Sequence, residues 1–458
     1  MDLRGTKVLV VGMARSGTAA VELLCSKGAL VRATDLQPLE AALAERLRQW
    51  GVQFRLQTPE VFEDADWIVL SPGVPADLEP LEAARRRGVR VIGEVELAGY
   101  YLQGPVMGIT GSNGKTTTTA LAGHILRCCG IPAQVGGNIG APAAGLAAAS
   151  RPDQWNVLEL SSFQLETIER FRARIAVGLN VTPDHLDRHR TFENYAAAKA
   201  RLFETQSGED YAVLNRDDPT CAAWGERARA RVVWFSRRNA PVEGAYLEGG
   251  RLWLAGRPVI ELDRIPMRGS HNVENTLAAA TAAWLAGAPP EAIGEAVRSF
   301  PGVEHRLEFV RRIRGVDFYN DSKATNVDAT LKALEAFQTP LWVILGGKDK
   351  DGDYRPLREP LARKARAALL IGAAAEKIAA QLGGAVPLIR AGTLEAALER
   401  AWREAVPGDT VLLAPACASF DQFRDFEHRG RVFKQWVARL AGEAEGKEEN
   451  PHASGRAD

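Results

Sequence analysis

The chain has no uninterrupted apolar run near the roughly 20 residues that a bilayer crossing requires. It opens on MDLRGTKVLVVGMARSG, a strand and glycine turn rather than a secretory hydrophobic region with a cleavage site. Cysteine is scarce. The five residues, Cys25, Cys128, Cys129, Cys221 and Cys417, include no CxxC pair and make an odd total, which argues against a disulfide framework or a structural zinc site and fits reduced cytosolic thiols. Net charge is lacking too: Lys plus Arg and Asp plus Glu each number 57, so no global attraction to nucleic acid or anionic membrane is expected, while a local basic pocket for phosphate is compatible with the balance. No fixed-period repeat or long low-complexity tract interrupts the chain. A soluble cytoplasmic protein that neither inserts in a membrane nor binds nucleic acid is expected.

What is present is an alternation of short apolar runs, glycine turns and helical periods. At 458 residues with 46% hydrophobic content the chain suits two or three cores. KVLVV, GMARSG and TAAVELLCSKG read as strand, turn and helix, VRATD and DWIVL as further strands, and the alternation continues to about residue 93, giving a small α/β domain over 1–93. The pattern restarts at PVMGITGSNGKTTTTALAGHILRCCG. Strands at NVLELSS, ARIAVGLNV and DYAVLN, Gly-rich hairpin segments near 240–268 and a helix at HNVENTLAAATAAWLAGA that ends at Gly287 complete a larger domain over 94–299. A third α/β domain over 300–440 carries strands at VDFYND, LWVILGG, AALLIG and TVLLAP, and the polar residues 441–458 are expected to form a flexible tail.

The strongest chemical signal is Gly111, Ser112, Asn113, Gly114, Lys115 and Thr116 between a strand and a helix. Small residues let the backbone fold around an anion, and the following helix presents unpaired N–H groups and its positive dipole end. Lys115 would reach the terminal phosphates and the Thr116 hydroxyl would ligate Mg²⁺. The strict GxxxxGK[ST] pattern fails by one residue, since Ile109 stands at its first glycine position. A structural glycine turn is the weaker reading.

The amino-terminal GMARSG, Gly12 to Gly17, has a dinucleotide-loop context with Asp35 at the end of the second strand, but Ala14 replaces the middle glycine. NAD or FAD, another phosphate-bearing ligand and a plain turn all fit it. With ATP assigned to the downstream loop, a different ligand such as a uridine diphosphate group becomes the better fit here.

Glu159 closes the strand in NVLELSS, a place where a second Mg²⁺ ligand is useful, with a solvated strand-end acid as the plain alternative. His185, in NVTPDHLDRH after the strand IAVGLNV, could bind a second metal or be a satisfied structural histidine. Lys199, in the helical YAAAKARLF, reads most simply as a surface lysine snorkelling off a helix. In the third domain, Lys323 in NDSKATN could bind a carboxylate or a transferring phosphate, while Asp321 and Asn326 could contact nucleotide, or the segment could be an Asx-type turn. Lys348 in GGKDKDGDY suits an anion or a surface turn. Ser419 in ACASFDQF offers a hydroxyl, Phe426 an apolar wall, and Cys417 is a buried small residue rather than a nucleophile.

Taken in order over nearly the whole chain, GSNGKTT, ELSS, NVTPDHLDRH, YAAAKARLF, GVEHRLE and NDSKATN resemble the Mur ligase family, and SPGVP, GNIG at 137–140, ELSSFQLE and PACASFDQF resemble its D-glutamate-adding branch. The DNPR signature of the diaminopimelate- or lysine-adding branch is absent. The resemblance implies an α/β fold of three domains: a Rossmann-like amino-terminal domain for the UDP-sugar, a central P-loop ATPase domain and a Rossmann-like carboxyl-terminal domain. It implies that D-glutamate is ligated to UDP-N-acetylmuramoyl-L-alanine through an acyl phosphate, at the expense of ATP, by a monomer that closes around its substrates. By the same resemblance the ATP loop is Gly111 to Lys115 with Thr116 and Thr117, and Asn272, Arg306 (or His305) and Asp321 contribute further to nucleotide binding. Arg15, Ser16, Asp35, Gly73, Asn138 and His185 would contact the UDP-sugar, and Lys323, Thr325, Ser419 and Phe426 the D-glutamate. Two Mg²⁺ ions are implied, one on Thr116 and Glu159, the other on His185 and an N6-carboxylated Lys199, so that Lys115, His185, Lys199 and Lys323 form the catalytic set. GMARSG and GGKDKDGDY depart from the family's common forms, which puts the diphosphate contacts and the role of Lys348 in question. Another Mur-type or folylpolyglutamate-like ligase, or a nonenzymatic nucleotide-binding regulator, would share part of this pattern.

Overall fold

The computed structural model describes residues 2–238, 243–267, 269–338, 340–349 and 352–448. The chain divides into two compact units, one running to Pro266 and resuming over His271–Phe300, the other formed by Met267–Ser270 with the residues from Pro301 on.

The first unit contains two parallel sheets. Strands β1 (Lys7–Val11), β2 (Leu30–Asp35), β3 (Gln53–Leu56), β4 (Trp67–Leu70) and β5 (Arg90–Gly93) lie in the order β3-β2-β1-β4-β5, all parallel. The order reverses between β1 and β4, which leaves a crevice at their carboxyl ends, where doubly wound sheets bind ligands. Strands β6 (Val106–Thr110), β7 (Ala133–Gly137), β8 (Trp155–Glu159), β9 (Ile175–Gly178), β10 (Tyr211–Asn215) and β11 (Arg231–Phe235) form the second sheet, order β11-β10-β9-β6-β8-β7, again all parallel. A small antiparallel sheet follows, β12 (Ala245–Glu248), β13 (Arg251–Leu254) and β14 (Arg257–Glu261), then the helix Ser270–Leu285. One continuous apolar cluster joins the two halves, passing from Val10 and Leu24 through Val95, Leu97, Ala143 and Leu146 to Leu158 and Leu214.

Two buried carboxyls fasten that seam. Glu96 accepts from the backbone N–H groups of Glu169, Arg170 and Phe171. Glu94 accepts from the Ala144 N–H at 2.5 Å, and its other oxygen is buried without a hydrogen-bond partner. Burial pushes the Glu94 carboxyl up to about 7. The folded protein therefore retains a proton that the unfolded chain releases above pH 4.5, so this group's contribution to stability is fullest below that pH and is lost as the pH rises through 7. At pH 8 the cost is on the order of 3 kcal/mol. Glu94→Gln, which keeps the acceptor for Ala144 without the ionisable oxygen, is expected to raise the melting temperature at pH 8 and to flatten its decline between pH 5 and 8. Identical melting curves for the two proteins at pH 8 would refute this.

The second unit is built on β15 (Glu308–Ile313), β16 (Val316–Asn320), β17 (Leu341–Gly346), β18 (Ala365–Ile371), β19 (Leu388–Gly392) and β20 (Thr410–Leu413), in the order β15-β16-β20-β17-β18-β19. Only β15 runs antiparallel to its neighbour. Side chains of β17 alternate between two cores, as strand periodicity requires. Val343 and Leu345 face one with Leu334, Ile378 and Leu382, and Trp342 and Ile344 face the other with Leu398, Phe433 and Val437. The last helix, Phe426–Glu448, continues beyond residue 441, where the sequence suggested a tail. Residues 449–458 lie outside the described residues.

Candidate active site

At the β1/β4 switch point a cavity of about 620 Å³ is lined by the first glycine turn, by Asp35, Ser71 and Gly73, and by Gly137, Asn138 and Gly140 of the neighbouring half. Asp35 Oδ2 accepts from the Met13 N–H at 2.6 Å and Ser71 Oγ donates to the Gly12 carbonyl at 2.7 Å, so the turn is held from both flanking strands. The Arg15 guanidinium donates to the Gly140 carbonyl across the seam. Of the six residues expected at the UDP-sugar, Arg15, Ser16, Asp35, Gly73 and Asn138 line this one cavity, and His185 lies outside its lining.

The loop after β6 leads into the helix Lys115–Cys128. Gly114 has φ of 86°, and a Cβ there would run into the Asn275 side chain. Only glycine meets both demands. Asn180 clamps the loop from β9, its Oδ1 accepting from the Asn113 N–H at 2.9 Å and its Nδ2 donating to the Asn113 carbonyl at 3.1 Å. Ser112 Oγ lies 3.0 Å from both the Tyr195 hydroxyl and the Thr182 carbonyl. The Lys115 ammonium donates to the carbonyls of Gly111 and Ser112, at 2.7 and 2.9 Å. Thr116 and Thr117 are buried in the first turn of the helix, and Asn272 accepts from Asn275, the residue packed on Gly114.

Beside this loop the lysine of YAAAKARLF does not snorkel. Lys199 is 1% exposed, on the inner face of the helix Phe192–Glu204. Its Nζ donates to the Gly111 carbonyl at 2.9 Å and stands 4.4 Å from the centre of the Tyr195 ring. Burial first, and the Lys115 charge second, hold it down to about 6. Burial likewise pushes the Tyr195 hydroxyl up to about 12. Glu159, 2% exposed at the end of β8, accepts from Asn138 Nδ2 at 2.9 Å, and its Oε2 is buried with no hydrogen-bond partner. His185 is about half exposed in a left-handed conformation, with Nε2 3.6 Å from Asp184 and its ring near those of Phe163 and Tyr195. Tyr195 is thus a neighbour of both His185 and Lys199. His189, by contrast, is a satisfied core histidine, tied to Ser162 and Glu166.

The second unit gathers its own polar cluster. His305 is buried, its Nδ1 2.9 Å from Asn320 Nδ2 and its Nε2 without a hydrogen-bond partner, and burial lowers its pKa. Burial pushes the Asp321 carboxyl up to about 6, against the opposing charges of Arg306 and Lys323. Lys323 Nζ stands 5.8 Å from the centre of the Phe426 ring. The Thr325 N–H donates to the Lys323 carbonyl, and Asn326 caps the helix Val327–Glu335 by accepting from Ala329, the local Asx role that the sequence had left open. Fully buried Arg429 ties Ser322, beside Lys323, to the carbonyls of Cys417 and Ala418, next to Ser419. Lys350 and Asp351 of GGKDKDGDY lie outside the described residues.

Three family descriptions match in series: the MurD-like amino-terminal domain of Mur ligases over residues 6–93, the Mur ligase middle domain over 109–283, and the Mur ligase glutamate ligase domain over 305–417. The chain belongs to the Mur ligase family. It is 64% identical to a UDP-N-acetylmuramoylalanine–D-glutamate ligase of Solibacter usitatus, over 95% of this chain and 98% of the relative. With the enzyme of the same description from Acidobacterium capsulatum it shares 52% identity, over 97% and 98%. The fold is shared with UDP-N-acetylmuramate–alanine ligase of Thermotoga maritima, at TM-score 0.61 and 18% identity over 95% of this chain and 99% of that one. MurF ligase of the same organism, solved with ADP, gives TM-score 0.60 and 16% identity over 96% and 97%. Three-domain α/β architecture is therefore common to all of them.

The residues of this Mur ligase fit the magnesium that its family implies. Glu159 Oε2 is a buried carboxylate oxygen with no hydrogen-bond donor, an acceptor that a cation can use. Among the described residues no three His, Cys, Asp or Glu side chains form a metal-binding group. Mg²⁺ does not need one, since it keeps several waters and takes one or two carboxylates together with phosphate oxygens. Sequence reasoning did not single out two residues that hold the glycine loop, Asn180 and Tyr195. The signal for Asn180 was its place two residues past the strand IAVG. Tyr195 gave only its spacing, one helical turn before Lys199.

Proposed function

We infer that this Mur ligase joins D-glutamate to UDP-N-acetylmuramoyl-L-alanine, using ATP and releasing ADP and phosphate. What carries the specificity is its identity, over nearly full length, with ligases of that description, and what carries the chemistry is the loop at Gly111–Thr117 beside buried Glu159 and Lys199. The same reading makes it a cytoplasmic monomer with no nucleic-acid partner, and the balanced charge supports the last of these. No described helix is long and apolar enough to cross a membrane.

A carboxylate is a poor acylating group because its leaving oxygen is strongly basic. Transfer of the γ-phosphoryl group of ATP to the L-alanine carboxylate makes an acyl phosphate, and attack by the D-glutamate amine then expels phosphate and forms the amide. Lys115 faces the charge that develops on the transferring phosphoryl oxygens, in a loop whose N–H groups are already oriented, so little reorganisation is needed as that charge moves. Thr116 and Glu159 would hold one Mg²⁺, and His185 with N6-carboxylated Lys199 a second. Magnesium, when bound, neutralises phosphate charge during transfer. Arg15, Ser16, Asp35, Gly73 and Asn138 hold the UDP-sugar in the cavity at the β1/β4 switch point, and His185 is assigned to the same substrate. Asn272, Arg306 and Asp321 support the nucleotide, and Lys323, Thr325, Ser419 and Phe426 receive D-glutamate. The domain limits that go with these roles are 1–93, 94–299 and 300–440.

The test is to supply ATP, Mg²⁺ and UDP-N-acetylmuramoyl-L-alanine with D-glutamate or one of several competing amino acids, following product mass and phosphate release together. A D-glutamate-specific adduct with one phosphate per product is expected. An adduct with a different amino acid would move the protein to another ligase specificity, and ATP binding with no adduct would overturn the reading.

A further inference from the structure

In the second unit the turn that leaves β17 is laced to the segment carrying Ser419. The Gly346 N–H donates to the Pro415 carbonyl and the Lys348 N–H to the Ala418 carbonyl, both at 2.8 Å. Gly347, at φ of 138°, leaves no room for a Cβ against the Ala418 carbonyl. Ala416 in that segment is held at φ of 59°, a left-handed conformation that a non-glycine residue keeps only where its surroundings impose it. A displacement of the turn is therefore passed directly to Ala418 and Ser419.

Behind this lacing lies a second, side-chain connection. Tyr354 is 1% exposed, and its hydroxyl is 2.7 Å from Asp349 Oδ1 and 3.0 Å from Cys417 Sγ. Lys377 Nζ donates to Asp349 Oδ2 at 2.6 Å, and the Gly352 N–H to Oδ1 at 3.2 Å. A phenol has one proton, and an ionised carboxylate only accepts. The Tyr354 proton therefore goes to Asp349, and the Cys417 thiol donates to the Tyr354 oxygen. Proton order is thus fixed from Cys417 through Tyr354 to Asp349, with the Lys377 ammonium closing the far end. Burial holds the Cys417 thiol protonated, up to about 11, in keeping with its role as donor.

We propose that Tyr354 is a positioning residue for the amino-acid site: the connected side chains of Cys417, Tyr354, Asp349 and Lys377 fix the Gly346–Asp349 turn against the segment presenting Ser419, and so set how tightly D-glutamate is held. The proposal rests on the reading of Ser419 as a D-glutamate contact. It assigns no chemical step to Tyr354.

The experiment is steady-state kinetics of the full-length Tyr354→Phe variant with each of the three substrates varied in turn. The KM for D-glutamate is expected to rise about 10-fold, the size of one net hydrogen bond at the upper end of its range, while KM for ATP and for the UDP-sugar and kcat stay within about twofold. An unchanged D-glutamate KM in the folded variant, or an equal rise for all three substrates, overturns the proposal. Should Tyr354→Phe fail to fold, Cys417 decides. Cys417→Ala should raise the D-glutamate KM and Cys417→Ser, which restores a donor, should return it towards wild type; equal values for the two overturn the proposal. Ser419→Ala run in parallel separates the two levels, since a wild-type D-glutamate KM there defeats the reading of Ser419 while leaving the Tyr354 result to be judged on its own numbers.

Discussion

Replacing Lys115 with alanine is expected to lower D-glutamate-dependent phosphate release by about 10³-fold, the scale of losing one preorganised charge-stabilising group, with little change in melting temperature. The two expectations come from the same geometry. The Lys115 ammonium donates to two carbonyls of its own loop, at Gly111 and Ser112, whereas the loop itself is held by other residues: Asn180 through Asn113, Tyr195 and Thr182 through Ser112, and Asn275 against Gly114. Removal of the side chain takes away the charge but not the clamps. Single-turnover product mass and calorimetry of one preparation check both halves. Full turnover in the variant would remove Lys115 from the reaction, and a collapsed melting temperature would make its role structural. Lys115→Arg is expected to recover little, since a planar fork cannot replace a compact ammonium inside a closed loop.

The second large effect concerns Lys199. Its amine is buried against the Gly111 carbonyl and held down to about 6, so it is largely uncharged at pH 7.5. Only the free amine attacks CO₂: nitrogen forms the new bond to carbon, one C–O π bond opens onto oxygen, one N–H proton leaves to solvent, and the neutral amine becomes an anionic carbamate. Protein handled free of CO₂ is expected to lose activity by about 10²-fold, and added bicarbonate to restore it, the size of effect that follows loss of a group supporting a metal. The sign of the pH dependence follows from the depressed pKa. At a fixed concentration of dissolved CO₂, the amine is free above 6 and restoration is fast, and below 6 its rate falls by about tenfold per pH unit. A ¹³C carbamate resonance that appears with labelled bicarbonate and is missing from Lys199→Ala would assign the site. Active protein without that resonance would exclude the modification.

The fold was legible in the sequence where strands are central. VLVV, WIVL, IAVG, LWVIL and TVLL are buried on both faces and read as near-continuous apolar runs. The strands missed were β3, β7, β11, β15 and β19, and each lies at the edge of its sheet. QFRL, EFVRRI and LIRAG put charged or polar side chains into solvent, so neither an apolar run nor a clean alternation marks them. A similar limit applies to the site. The glycine loop announces itself through local chemistry, and Glu159 through its place at a strand end. Nothing in YAAAKARLF distinguishes a lysine that faces water from one turned inward, because the alanines around it suit either face. Its burial depends on Tyr195 and on the Gly111 carbonyl, 88 residues away in sequence.

Sequence separation also governs when the nucleotide loop acquires its shape during synthesis. Gly114 takes its left-handed conformation against Asn275, and Asn275 meets Thr118 across 157 positions of chain. A ribosome adding roughly 5–20 residues per second needs on the order of 8–30 s to make that stretch. Throughout that interval the emerging chain carries the complete GSNGKT signature without the helix that moulds it. The packed shape of the loop is consequently a late acquisition of the nascent polypeptide, completed only when the helix Ser270–Leu285 can pack on a loop made much earlier.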